Sequence, residues 1–219
     1  GNTLFRVVIG TALNLVFTIT LSYGLSREGL KGRTFLTGFV FFTMLFSGGM
    51  IPTFILVKGV GLIDSRWAMV LPCLINTWNL LIMRNFFYGI PKSLEEAAVI
   101  DGANDAQVLV KIVLPLSKAS IATIGLFYAV SHWNAWFDAM LYINTTALLP
   151  MQNILRNIIT AASSIGDLGA EAYNSLDVVP PSQAIRAATI VITTLPILVA
   201  YPFVQKYFVK GVMVGSVKG

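Results

Sequence analysis

The chain has 219 residues, of which 56% are hydrophobic and only 11% charged, with a mean hydropathy of +0.76 and a net charge of +5. Soluble domains carry about 25% charged residues, so this composition excludes an ordinary soluble globular protein. The positive charges flank apolar runs, as in membrane chains, which argues against nucleic acid as the partner. Cys73 is the only cysteine, which excludes an intrachain disulfide, and it reads as a small core hydrophobe.

Five segments are apolar enough to cross a bilayer, which takes about 20 helical residues. They are residues 7–25, 35–57, 68–90, 119–143 and 187–209. Gly48, Gly49 and Pro52 interrupt the second, Pro72 the third, and Pro196 and Pro202 the fifth. Such breakers survive in lipid where neighbouring helices or cavity water satisfy the freed backbone groups, so they predict an all-α bundle around a pathway. Placing the loop "SREGLKGR" inside gives the inner flanks Arg27, Lys31, Arg33, Lys92, Lys111, Lys118, Lys206, Lys210 and Lys218. The outer flanks then hold only Arg6, Lys58, Arg66, Arg156 and Arg186, with Arg84 near the inner end of the third span. That asymmetry puts the C-terminus inside and, with five spans, the N-terminus outside. The sequence starts at Gly1 without a cleavable signal pattern, so the expectation is that an earlier span is missing.

Between the third and fourth spans lies an inside loop, residues 91–118, holding "EEAAVIDGANDAQVLVKIVLP". Ser93 and Glu96 are spaced as a capping box, and the paired carboxylates suit the positive end of a helix dipole. Gly102 supplies the turn that ends this short helix, and a second helix is predicted from near Asp105 to Pro115. The small Ala97, Ala98 and Ala103, with Val99, Ile100 and the bare backbone of Gly102, would let another protein approach the helix axis. A solvated amphipathic loop lying on the bilayer fits the same residues.

Spacing separates the two readings. Glu96-Ala97-Ala98, three residues, Gly102, nine residues, Ile112, one residue, then Leu114-Pro115 resembles the EAA loop of bacterial ABC importer permeases. The segments "GGMIPTFILVKGVGLIDSRWAMVLP", "SHWNAWFDAMLYI" and "YPFVQKYFVKGVMVGSVKG" are similar to the carbohydrate-uptake subgroup, which includes maltose-type and Gram-positive oligosaccharide permeases. The resemblance implies a polytopic bundle of the type I permease fold over residues 1–219, normally with six spans and both termini inside; the first is absent from this chain. It implies that Glu95, Glu96, Ala97, Ala98, Asp101, Gly102, Ala103, Leu114 and Pro115 form a coupling loop seated on a cytoplasmic ATPase, with Glu96 paired to a basic residue there. Two ATPase subunits, a second and different permease, membrane lipid and an extracellular solute-binding protein are the implied partners in a bacterial inner membrane. ATP and Mg would bind the ATPase and no cofactor this chain.

No residues supply catalysis. A phosphate-cradling G-x4-G-K-[ST] loop, H-E-x-x-H and G-x-S-x-G are all absent, and the one histidine, His132, reads as a packing or pathway residue. Polar groups inside spans face a bundle interior or water, which makes Asn14, Asn76, Asn79, Asn134 and Asp138 candidates for a sugar path. Trp133, Trp136 and Tyr142 add aromatic faces of the kind that stack on sugar rings. Residues 144–186 form an external loop with Gln152, Arg156, Asp167, Glu171, Asp177 and Pro180-Pro181, and a short helix is predicted over residues 151–162. The alternatives are a permease for another solute, such as an amino acid, polyamine or phosphate, and an ATP-independent secondary transporter. The latter needs relay carboxylates, and only Asp138 is available.

Overall fold

The computed structural model describes residues 1–167, 184 and 186–199, and no strand occurs among them. The first helix, α1 (Asn2–Ser26), is 25 residues long and is the one helix among the described residues that is long and apolar enough to cross a bilayer unaided. Its polarity is turned inward. Arg6, Gly10, Asn14, Thr18 and Ser22, spaced four apart, are buried, while Leu4, Val8, Val16 and Phe17 are exposed. In lipid the apolar side needs no shelter, and the small and polar side is the one that must find partners. A turn of π-helix at Arg6–Gly10 helps a spacing of four keep to one face of a 3.6-residue helix.

Those partners come from two helices and from the 3-10 turn that precedes one of them. Asn14 Nδ2 donates to the carbonyls of Cys73 (2.6 Å) and Leu74 (2.9 Å), Thr18 meets the Tyr128 hydroxyl at 2.8 Å, and Ser22 donates to the Leu80 carbonyl at 2.9 Å. Leu80 lies on α4 (Thr77–Tyr88), and Tyr128 on α7 (Lys118–Asn134). Tyr23, Met83, Phe87, Val108, Val113, Ile124 and Tyr128 form the core where these helices meet.

Gly10 sets the closest approach of α1 to α7. A Cβ there would stand 2.7 Å from His132 Nε2, whereas one on Gly24 of the same helix would meet nothing within 4 Å. An unhindered glycine inside a helix is stabilised by alanine, by about 0.5–1 kcal/mol. Gly24→Ala is expected to follow that rule, and Gly10→Ala to reverse it, destabilising by about 1–3 kcal/mol through overpacking. Thermal unfolding of the two variants in detergent checks this; a Gly10→Ala midpoint at or above the parent's would contradict the packing.

Three of the expected spans are broken. The segment expected over 35–57 is α2 (Arg33–Leu45) and α3 (Met50–Gly59), bent by 110°. Gly49 sits between them at φ +89, a conformation that only glycine adopts freely, and Pro52 falls in the first turn of α3, where a missing N–H costs nothing. The segment expected over 68–90 begins as 3-10 turns, Arg66–Met69 and Leu71–Cys73, and only α4 is α-helical. The segment expected over 119–143 stops at Asn134 and resumes as α8 (Phe137–Tyr142). By length and composition the described residues contain one spanning helix, or up to three if each bent pair counts as one. The fifth expected segment is described only as α10 (Arg186–Val199), and its remainder lies outside the described residues.

The predicted helix over 151–162 is present and longer, as α9 (Met151–Asp167). It is tied to the start of α1, since Thr3 Oγ1 accepts from the Met151 amide at 2.8 Å and Asn2 donates to the Ala147 carbonyl at 2.7 Å. Beside it Asp64, with φ +58, accepts from the amides of Asn144 (3.0 Å) and Thr145 (2.8 Å) and from the Thr145 hydroxyl (2.6 Å). The Thr145 hydroxyl, then its amide, hold the Asp64 carboxyl below its ordinary value of 3.8. A lowered carboxyl pKa stabilises this junction above the ordinary value and loses that contribution as pH falls below it. Amide exchange at Asn144 and Thr145, corrected for its intrinsic pH dependence, is therefore expected to accelerate below about pH 4. Asp64→Asn should remove the pH step; a step that persists would place its origin elsewhere.

Candidate functional site

Two features lie at opposite ends of α1. At its C-terminal end the chain folds into an elbow of α5 (Lys92–Ile100) and α6 (Asp105–Leu116). Gly102 turns the corner at φ +84, as its spacing predicts. The capping box is not where the sequence suggests. Pro91, with ψ 123, occupies the N-cap and its carbonyl accepts from the Leu94 amide, so Ser93 is already helical and caps nothing. The box is instead at α6, where Asn104 accepts from the Gln107 amide (2.9 Å) and Gln107 accepts from the Asn104 amide (3.0 Å). The second helix ends at Leu116, one residue beyond the predicted Pro115. A π-helical turn at Leu109–Val113 widens the ladder just before the proline, and the chain bends by 83° only after Leu116.

The two adjacent glutamates have different surroundings. Glu95 is half-buried and ion-paired to Arg27, while Glu96 is exposed, and no ion pair reaches it among the described residues. Ala98 and Ala103 do not present an open face, because both pack inward on the core beneath the elbow, and Leu114 is half-buried. What projects is Glu96, Ala97, Val99, Ile100, Asp101 and Gly102, with Ile100 85% exposed, and Pro115 is exposed at the far end of α6. A groove of about 1030 Å³ runs behind this tip, between it and the end of α1.

Near the N-terminal end of α1 is a cavity of about 740 Å³. Asn76, Asn79, Asn134 and Asp138 line it, as does Trp136. Asn14, Trp133 and Tyr142 are outside the lining. Asn14 is fully enclosed between α1 and its neighbours, Trp133 donates to the Thr193 carbonyl of α10 at 3.0 Å, and Tyr142 stacks on Phe54. Arg6, Trp78, Phe127 and Phe137 belong to the wall although sequence reasoning passed over them. Arg6 had a readable signal: an ionisable residue beside an apolar run needs a partner, and Asp138 is the one carboxylate inside another.

One edge of the cavity is a chain of satisfied polar groups. Arg6, 2% exposed, grips Asp138 with both guanidinium nitrogens, one at 3.0 Å. Its Nε donates to His132 Nδ1 (3.3 Å), which leaves Nε2–H to donate to Asn14 Oδ1 (2.7 Å). The histidine therefore works as a neutral relay of hydrogen bonds and has no free face for catalysis. Amides and carboxylate beside exposed indole and phenyl rings can take hydroxyls on one side and C–H faces on the other. No cluster of metal-binding side chains occurs among the described residues.

A helical bundle with a polar and aromatic cavity and a projecting elbow is the architecture of a membrane permease. This chain belongs to the family of binding-protein-dependent transport system inner membrane components, whose match spans residues 14–214. It is similar to the polygalacturonan/rhamnogalacturonan transport system permease protein YtcP of Bacillus subtilis (strain 168), with 53% identity over 98% of this chain and 74% of that one. Protein LplC of the same organism is 50% identical over 100% of this chain and 73% of that one. A solved bacterial ABC transporter involved in the import of the acidic polysaccharide alginate superposes with a TM-score of 0.83, at 37% identity over 94% of this chain and 73% of that chain. The fold is thus that of a type I ABC importer permease, the non-catalytic membrane component, and ATP hydrolysis belongs to a separate subunit.

Proposed function

We propose that this chain is a carbohydrate-translocating permease subunit of an ATP-driven, binding-protein-dependent importer, with the elbow as the seat of a cytoplasmic ATPase. The observation that carries the reading is the elbow's tip, where Glu96, Val99 and Ile100 stand exposed on a base held by Arg27. An exposed isoleucine beside an unpaired carboxylate suits a partner with an apolar cleft and a basic rim. The elbow faces the cytoplasm in this reading, with the C-terminus on the same side. ATP and Mg bind the two ATPase subunits, whose closure draws this elbow and that of a second, different permease together.

Sugar passes the cavity between α1, α4 and α7, where Asn76, Asn79, Asn134, Asp138 and Trp136 contact it. The names of YtcP and of the alginate importer support an oligosaccharide cargo. On the outside, residues 144–186 receive the solute-binding protein, with α9 as part of that surface; Glu171, Asp177, Pro180 and Pro181 lie outside the described residues. A proton-driven carrier is disfavoured because Asp138, its one candidate carboxylate, is held by Arg6. Affinity purification of the transporter through a tag on this chain tests the reading: the ATPase should co-purify, and should be lost from Ile100→Asp.

A further inference from the structure

Apolar contact and a few polar ties join the elbow to the bundle. Ala98 and Ala103 rest on the core that holds Tyr23, Met83 and Phe87, and α6 adds the fully buried Val108 and Val113 to it, a non-directional contact. The polar ties are directional, and they share one origin. Arg27 pairs with Glu95 on α5 and, at 2.9 Å, with Asp105 on α6. The Tyr23 hydroxyl donates to the Asp105 carbonyl at 3.3 Å, and Lys92 pairs with Glu28 at 2.5 Å. Among the described residues no other side-chain hydrogen bond or ion pair joins the elbow to the rest of the chain.

Arg27 is the residue that holds both arms. The chain leaves α1 there in an extended conformation, and the guanidinium lies 4.8 Å from the centre of the Tyr23 ring. Its fork reaches one carboxylate on each side of the Gly102 turn, which a lysine's point charge cannot do from one position. Both members of the Lys92–Glu28 pair are more than half exposed and so is Asp105, so water and salt screen those ties, and the half-buried Arg27–Glu95 pair is the firmest of them. From Arg27, α1 runs without interruption to Arg6 at the cavity, about 30 Å away at 1.5 Å per residue.

We propose that Arg27 is the clasp through which displacement of the elbow reaches α1 and, at its far end, the corner of the cavity made by Arg6, Asp138 and His132. The proposal rests on the reading of the elbow as the ATPase seat. With the clasp in place the two elbow helices and α1 move as one body. Without it the elbow keeps only its apolar packing, through Ala98, Ala103, Val108 and Val113, and its displacement is not passed to α1. Arg27 is thus a positioning residue, distant from cargo and nucleotide alike.

Cys73 is not the core residue that the sequence suggests but is exposed in the cavity wall, and it supplies a native reporter that needs no knowledge of the cargo. In the complete transporter, its labelling by N-ethylmaleimide is followed by mass spectrometry without nucleotide and after trapping with ATP and vanadate. The parent is expected to change its rate by at least about fivefold, the lower end of ordinary allosteric coupling. Arg27→Gln should lose that difference while the ATPase remains bound and still hydrolyses ATP, and Lys92→Gln should keep it. If Arg27→Gln does not assemble, Arg27→Lys decides, and loss of most of the change is expected. A full nucleotide-dependent change in either arginine variant, or none in the parent, overturns the clasp. Loss of ATPase binding from Ile100→Asp is a separate readout, so the clasp can fail while the seat stands, and the seat can fail by itself.

Discussion

Asp138→Ala is expected to lower the stability of the folded chain by about 3 kcal/mol, the smaller end of what breaking a buried ion pair costs. The substitution leaves the Arg6 guanidinium, only 2% exposed, without its counter-charge, while Nε still faces His132 and Nη1 the Ala135 carbonyl at 3.3 Å. The smaller end applies because Asp138 itself is 19% exposed toward the cavity, so water admitted there recovers part of the loss. For a chain of this size, about 3 kcal/mol corresponds to about 6–12 °C in the thermal midpoint. The double variant Arg6→Met with Asp138→Ala should recover much of it, since apolar replacement of both partners removes the stranded charge. A double variant as unstable as the single one would show that the hydrogen bonds to His132 and Ala135, rather than the ion pair, hold this corner.

The second large effect belongs to the elbow's tip. Ile100→Asp is expected to weaken ATPase binding by about 3 kcal/mol, or about 100-fold in affinity. Burying isoleucine contributes about 1.5–3 kcal/mol, and a carboxylate in the same cleft adds a desolvation cost. Because Ile100 is 85% exposed in the chain by itself, the fold should be untouched, and an unchanged thermal midpoint serves as the control. Glu96→Gln should cost less, about 1–3 kcal/mol, the loss of one charge-assisted contact. If both variants retain the ATPase at parental affinity, the elbow is not its seat.

The parts legible in the sequence were those set by local chemistry. α1 declares itself by uninterrupted hydropathy, and Gly102 by the need for a turn between an acidic helix and a second one. The spacing from Glu96 to Pro115 gives the elbow's register, and with it the family. The breaks were less legible because hydropathy is blind to direction. Gly49 and Pro52 announce that a segment is interrupted, but neither says that α2 and α3 turn by 110° and leave the segment as two short helices. Ser93 misled because its capping spacing is intact while Pro91, two residues earlier, already has the extended ψ that an N-cap requires. Least legible were contacts between distant residues: the partnership of Arg6 with Asp138, and the grip of Arg27 on both arms of the elbow. Small residues also mislead about direction, since Ala98 and Ala103 look like an open face in sequence and are the elbow's underside in the fold.

What the elbow touches is read most directly by site-specific photo-crosslinking in membranes that contain the complete transporter. A photoreactive side chain at Val99, 54% exposed beside the elbow's tip, reads which subunit lies against it and on which side of the membrane the elbow stands. Adducts with the ATPase subunit, formed in the absence of cargo, are expected. Adducts with the external solute-binding protein, or with lipid alone, would contradict the ATPase seat.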